Sequence, residues 1–423
     1  MNADEAGSSP TPSQRIRSRE EVADYLLDIG ATLASYGCPS YRLEDVIRLV
    51  ADTEGFRAEP FALPTGLFLR VVPKDVEGGF PEVHRMVRLR ERGVDLARLT
   101  LVDEIFNDVA AKRATIEQAR ARIRGISKRP ATWSPPLVWA ASTALSGAAA
   151  VFFRGSLVDV LVAGIVGGVI AGSRAVIARP EQVLLVDFLG GLFAAFCAWL
   201  ATRVWPTASP EVVVLAGSIA MFPGMTFTTG LAEVAQKNLV SGGARLMDAA
   251  VTLLLILFGV ALVAGLQKMM HVDMPSTDAQ RRGLGLPYQA VALLVSAGSF
   301  GIVFQIPRRY LWAALVSGAV GYVVTALAVR SLPEHVAAFC AALAVCTVAN
   351  FLARVTDRPS QLFQLPGMVL LVPGSFGFVS LGEFLKNKAE AGTQMAFTMT
   401  LVGAALVIGV LVANVVMPAR KLL

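Results

Sequence analysis

From residue 137 to residue 417 the chain is a succession of ten apolar stretches, at 137–153, 156–178, 182–203, 211–232, 246–267, 287–306, 310–329, 334–353, 361–382 and 395–417. Each has about the ~20 residues that a helix needs to cross a ~30 Å hydrocarbon core. Inside lipid the backbone has no water to bond, so helices are the economical reading of these stretches. Composition agrees: 54% apolar and 17% charged residues with a mean hydropathy of +0.58 exclude an ordinary soluble domain. Charge is concentrated in residues 1–130, where Arg, Asp and Glu interleave, and at the ends of the apolar stretches. That placement describes membrane topology, so the net charge of +6 is no sign of nucleic acid as a partner. With residues 1–130 in the cytosol, twelve Lys and Arg from Lys128 onward fall on inside segments and eight on outside ones. The bias predicts both termini on the cytoplasmic side of a bacterial inner membrane.

Residues 1–19 are polar, rich in Ser and Pro, and lack an apolar signal-peptide core, which predicts a disordered tail. Residues 20–130 read as a small cytosolic α+β domain. Two amphipathic helices fill 20–54, with a turn at Gly37, Cys38 and Pro39 and with Ser40 placed to cap the second. Two alternating runs, FRAEPFAL and GLFLRVV, separated by Pro64 and Thr65, predict a strand pair. One long helix is expected from about Val94 to Ile126, its basic end facing anionic lipid. The four cysteines form no CxxC and the three histidines are scattered, so no metal, disulfide framework or cofactor is expected. Cys38 has only His84 as a base within its domain, and no GxxxxGK[ST] phosphate loop occurs, so neither nucleophilic catalysis nor direct ATP drive is supported.

The apolar part divides into two sets of five spans, 137–268 and 287–418, around a polar connection at 269–286. A shift of 150 residues superposes LAGSIAMFPGMTFTTGLAE, 215–233, on LPGMVLLVPGSFGFVSLGE, 365–383, with six of nineteen positions identical. Five crossings per copy would set the second copy in the bilayer upside down relative to the first, an inverted repeat typical of secondary transporters. Pro223-Gly224 and Pro373-Gly374 fall in the middle of corresponding spans, where proline removes a backbone donor and frees a carbonyl at membrane depth. One such pair is ordinarily a kink. Two in register, each followed by hydroxyls, point to a substrate site of Pro223, Gly224, Thr226, Thr229, Pro373, Gly374, Ser375 and Ser380.

Carboxylates inside spans cost roughly 2.5 to 3.5 kcal/mol on insertion scales and tend to be functional. Asp187, Asp248, Glu233 and Glu383 are therefore candidates for ion coupling. The alternatives are that the two aspartates are solvated at span ends and that Glu233 and Glu383, ~15 Å beyond each proline on an ideal helix, are capped by loop cations. Asn350 and Asn414 are further polar residues at depth, and Gly164, Gly168 and Gly172 form a stripe for close helix packing.

YGCPSYRLEDVI at 36–47, with Gly37, Ser40, Arg42 and Glu44, ALPTGLFLRV at 62–71, with Pro64, Thr65 and Gly66, VDLARLTLVDEI at 94–105 and the paired Pro-Gly spans together make a chain that resembles the threonine/serine exporter family over roughly 22–417. The resemblance implies a cytosolic N-terminal domain, ten spans, and export of threonine and serine driven by the proton motive force. A two-protein branch of that family is associated with succinate, so a dicarboxylate is the alternative cargo, and the family's N-terminal domain has been likened to hydrolases. The expectation is an α-helical polytopic membrane protein of two five-helix inverted repeats that acts as a transporter, with threonine or serine, protons and the lipid bilayer as partners. A membrane-anchored hydrolase or a non-transporting sensor are the rival classes, and a homo-oligomer is neither required nor excluded.

Overall fold

The computed structural model describes residues 12–74, 82–89, 93–177, 180–270 and 283–418. The chain divides after Pro130 into two compact units.

In the first unit, helices α1 (Pro12–Ser35), α2 (Ser40–Thr53), α3 (Leu96–Ala110) and α4 (Ile116–Ile126) accompany a three-stranded antiparallel sheet of β1 (Phe56–Leu63), β2 (Gly66–Pro73) and β3 (Val83–Arg88) in the order β1-β2-β3. Their shared core is Tyr25, Leu26, Ile29, Leu33, Leu43, Ile47, Leu67 and Leu99, all fully buried. Pro64 and Thr65 are the two-residue hairpin loop between Leu63 and Gly66, which pair across it, and the Thr65 carbonyl accepts the Leu89 N–H at 3.0 Å.

Several expectations are corrected here. The helix starting at Ser40 has Pro39 at its cap position, and Ser40 is buried in its first turn. A third strand, β3, joins the pair by antiparallel bonding to β2; its alternation HRMVR is short and lies beside charged sequence, so the pattern alone does not announce it. The long helix is two helices. Lys112, at φ +56°, ends the first, and Thr115 starts the second through a reciprocal capping box with Gln118. The predicted tail is already helical from Pro12, while residues 1–11 of it lie outside the described residues.

The second unit is all helical: α5 (Pro135–Phe152), α6 (Leu157–Val176), α7 (Pro180–Val204), α8 (Pro210–Gly217), α9 (Gly224–Ala235), α10 (Leu239–Met269), α11 (Leu286–Val303), α12 (Leu311–Ala328), α13 (Glu334–Thr356), α14 (Gln361–Leu371), α15 (Gly374–Leu385) and α16 (Ala389–Val416). Among the described residues nine helical spans are long and apolar enough to cross a membrane, and α8 with α9, bent by 43°, makes a tenth. Most of the expected connection, residues 271–282, lies outside the described residues.

Internal packing repeats at the spacing seen in the sequence. Gly259 on α10 packs on the α7 backbone at Phe188 and Leu192, and Gly409 on α16 packs on the α13 backbone at Phe339 and Leu343. Lys237 and Asn387, 150 residues apart, both take a left-handed conformation after α9 and α15. The bonds that follow also match: Asn238 N–H to the Glu233 carbonyl and Lys388 N–H to the Glu383 carbonyl, each 2.9 Å. The halves interlock reciprocally, since α9 packs on α10 and α16 while α15 packs on α16 and α10.

A Cβ at Gly259 would stand 2.6 Å from the Leu192 nitrogen, whereas one at Gly265 on the same helix meets open space. Gly259→Ala is therefore expected to lose stability at the upper end of the ~1–3 kcal/mol that overpacking costs. Gly265→Ala should be neutral or slightly stabilising. Thermal unfolding of the detergent-solubilised protein, read by loss of the monodisperse peak, compares the two.

Candidate functional site

The two Pro-Gly pairs end up against each other. In the first half, α8 stops at Gly217, a 3-10 turn covers Ile219–Met221, and α9 restarts at Gly224. In the second, α14 stops at Leu371 and α15 restarts at Gly374. The prolines at the two restarts share one backbone conformation, φ −80° and ψ 37° at Pro223 and φ −82° and ψ 30° at Pro373. A bond from Phe222 N–H to the Ile219 carbonyl recurs from Val372 N–H to the Val369 carbonyl, both at 3.4 Å.

At the crossing a side chain on Gly224 would overlap its neighbours, and one on Gly374 would be tightly crowded. A Cβ at Gly224 would overlap the Val372 side chain and lie 3.2 Å from the Gly374 Cα, and one at Gly374 would lie 3.3 Å from the Gly224 Cα. Two helix N-termini, those of α9 and α15, therefore begin side by side. Their first N–H groups have no partner within their own helices, and the two dipoles add partial positive charge at one point inside the apolar unit. Such an arrangement can receive a carboxylate. Beside it, the Phe222 and Phe378 rings stack with centroids 5.2 Å apart.

The predicted hydroxyls divide. Thr226, Thr229 and Ser375 are half-buried in the first turns after the breaks. Thr228 bonds back to the Gly224 carbonyl at 3.0 Å. Ser380 is buried and donates to the Gly392 carbonyl on α16 at 2.7 Å, which ties helix to helix.

The four candidate carboxylates have four different settings. Asp187 is 3% exposed, not solvated at a span end, and it accepts from Arg174 Nη2 at 2.6 Å. The other terminal nitrogen of Arg174 donates to the Ala220 carbonyl at 3.3 Å, inside the 3-10 turn of the first break. One guanidinium thus joins the buried carboxylate to the opened backbone. Asp248 is exposed and within electrostatic range of Asp187. Glu233 is fully buried and accepts from Ser241 Oγ at 2.7 Å, with Arg245 Nε 3.2 Å away. Glu383, its counterpart in the second half, is 18% exposed and paired with Lys386 at 2.9 Å.

Three polar groups were not singled out from sequence. Arg174 and Arg245 count there only as inside charges, because nothing local says that a carboxylate faces them. Asp159 is fully buried and accepts from Ser156 N at 2.7 Å and Ser209 N at 2.6 Å, pinning the start of α6 to the start of α8. Its signal was present as the capping pattern from Ser156 to Asp159 ahead of an apolar run. Asn350 donates to Asn414 at 3.0 Å and to the Met417 carbonyl at 2.8 Å, so this pair closes the end of α16.

The N-terminal motif has a structural explanation. Glu44 accepts the Ala62 N–H at 3.0 Å and pairs with Arg48 at 2.9 Å, holding α2 against β1 near the Pro64-Thr65-Gly66 turn. Arg42 is half-buried next to it. Cys38 is buried, and among the described residues no three His, Cys, Asp or Glu side chains gather as a metal site.

Removing the Arg245 charge strands a buried carboxylate, which typically costs about 3–5 kcal/mol. Arg245→Met is expected to lower stability by that order, read as a drop in the thermal midpoint, and adding Glu233→Gln should restore most of the loss.

Comparison with known proteins locates the chain. Two models of the threonine/serine exporter family match it, one over residues 24–267 and one, "Threonine/Serine exporter, ThrE", over 289–416. An uncharacterised protein of Schizosaccharomyces pombe is 24% identical over 94% of this chain and 51% of its own length. A protein of Mycobacterium tuberculosis named "Probable threonine/serine exporter" is 24% identical over 79% of this chain and 66% of its own length. The "Pheromone-regulated membrane protein 10" of Yarrowia lipolytica is 21% identical over 87% of this chain and 31% of its own length. The chain thus spans from about a third to two thirds of these relatives. No solved structure matches it.

Proposed function

We propose, for a chain that belongs to the threonine/serine exporter family, secondary export of threonine and serine coupled to the proton motive force. The relative named as such an exporter supports the cargo. The observation that carries the mechanism is the contact of Gly224 with Gly374, where two helix N-termini open toward one point.

In this reading the cargo carboxylate sits at the paired N-termini of α9 and α15. Thr226, Thr229 and Ser375 offer hydroxyls to its ammonium and side chain, and Pro223 and Pro373 keep the backbone open. Thr228 and Ser380 are reserved for packing by their existing bonds. The two halves are inverted repeats that rock about the crossing, a motion supported by their reciprocal packing and by the five spans in each. The positive-inside bias supports an inner-membrane protein with its N-terminal unit and the end of α16 toward the cytoplasm. The chain is then a transporter and not an enzyme.

Asp187 is the proton-coupling group of choice. Protonation removes the charge that holds Arg174, and Arg174 also holds the Ala220 carbonyl at the break, so one proton can alter the opened backbone directly. Asp248 is the exposed carboxylate through which Asp187 exchanges with water. Glu233 and Glu383, each engaged by cations, brace the far ends of α9 and α15.

Cells loaded with threonine, serine or succinate test cargo and coupling together. Threonine and serine efflux should depend on the chain and stop with an uncoupler, while succinate efflux alone would assign the dicarboxylate instead. Pro223→Ala with Pro373→Ala should reduce threonine efflux at least about tenfold at equal expression, a loss of ~1.4 kcal/mol of coupling to the path. Parental efflux from that double variant would remove the crossing as the site. Asp187→Asn should leave binding in place and abolish the response of efflux to an imposed pH gradient, and an unchanged response would exclude Asp187.

A further inference from the structure

A half-open cavity of about 470 Å³ lies between α7, α8, α10 and α15. Its size suits a small-molecule site, for which ~300–1,000 Å³ is usual. Val214, Leu257 and Val260 supply apolar walls, and Phe378, half of the aromatic stack beside the crossing, forms part of the lining. Four side chains make it polar: Glu211, Gln267, Glu383 and Lys386.

Gln267 lies near the end of a 31-residue apolar helix, is 5% exposed, and its amide nitrogen has no hydrogen-bond partner among the described residues. A buried donor left unmatched is costly, and an acceptor bound in the adjacent cavity would satisfy it. Lys386, on the second half, reaches Glu383 at 2.9 Å and Glu211, on the first half, at 3.4 Å. Lys386 and Glu211 are half-exposed or more, at 51% and 63%, so their mutual pairing is weak and open to exchange.

We propose that this cavity is a second binding site for the cargo, specific for a zwitterionic α-amino acid and separated from the helix crossing by the Phe222–Phe378 stack. The cargo's carboxylate takes the Lys386 ammonium and the Gln267 amide, and its ammonium takes Glu211 and Glu383. Two carboxylates against one lysine give the pocket a net negative charge, which repels a dianion and leaves a zwitterion unopposed. The ion pair between the halves loosens as the amino acid replaces each partner, so occupancy of the cavity is linked to movement of the halves. This inference rests on the exporter reading above.

Equilibrium binding of labelled L-threonine to the full chain in nanodiscs tests it, with succinate as competitor and thermal stability as the folding control. The unaltered protein should bind two threonines per chain and ignore succinate. Gln267→Leu, which leaves the Lys386 pairs intact, and Lys386→Met should each weaken one of the two sites roughly tenfold, the value of one charge-assisted bond. Gly224→Val should remove the other. Wild-type binding by both cavity variants, with loss only in Gly224→Val, would overturn the cavity site and leave the exporter reading standing. Slower efflux in Lys386→Met with two unchanged sites would overturn it too, and would make Lys386 a latch. Absence of threonine binding in the unaltered protein, with succinate bound instead, would reject the threonine/serine reading on which this site rests and assign a dicarboxylate cargo.

Discussion

The membrane unit depends on a backbone-to-backbone contact. Gly224 and Gly374 lie so close that a Cβ on either would stand 3.2 and 3.3 Å from the other's Cα, and each begins a helix at that point. Without a Cβ on either residue the two broken spans can approach to the separation of bare chains. With proline just before, neither span can continue its hydrogen-bond ladder through the point. Closeness and discontinuity are thus imposed by the same two dipeptides, and the surrounding helices are arranged to hold them.

Around that contact the two halves are alike in backbone and unlike in charge. The dihedrals at Pro223 and Pro373 agree within a few degrees, and the bonds before and after the breaks recur at the same spacing. Among the described residues it is the first half that places an arginine on the opened turn and backs it with a buried aspartate. It also buries Glu233 against Arg245, whereas the matching Glu383 faces Lys386 at the rim of a cavity. The two breaks thus share one backbone geometry and differ in the charges set around them, an arginine and a buried aspartate at the first and a lysine paired with Glu211 and Glu383 near the second.

The N-terminal unit is held by conventional means. Its helices bury one face of the sheet, and Glu44 joins α2 to β1 at the Pro64-Thr65 turn. The other face leaves Phe61, Phe68 and Met86 exposed, with Arg70 bridging Glu59 and Glu82 alongside them. The Arg70 hydrogen bond holds the Glu82 carboxyl down to about 2, so the Arg70–Glu82 pair persists through the ordinary carboxylate range and is lost only as pH falls toward that value.

The ten apolar stretches, their division into fives, and the paired Pro-Gly breaks follow from residue order alone. Lipid solvation acts on each segment separately, and proline acts on its own turn. The β1–β2 hairpin was legible for the same reason, since Pro64 and Thr65 sit between two alternating runs. The third strand and the break at Lys112 were not, because one is short and charged and the other depends on a left-handed residue that no local pattern demands. Likewise Thr226 and Ser380 look equivalent as hydroxyls after a break, but only packing gives Ser380 the Gly392 carbonyl. Asp187 and Asp248 look equivalent as carboxylates near span ends, but only packing buries one beside Arg174 and leaves the other exposed. Partnership between residues far apart in the chain is a property of helix-on-helix placement, which is decided by close approach at a few glycines and is written in no single segment.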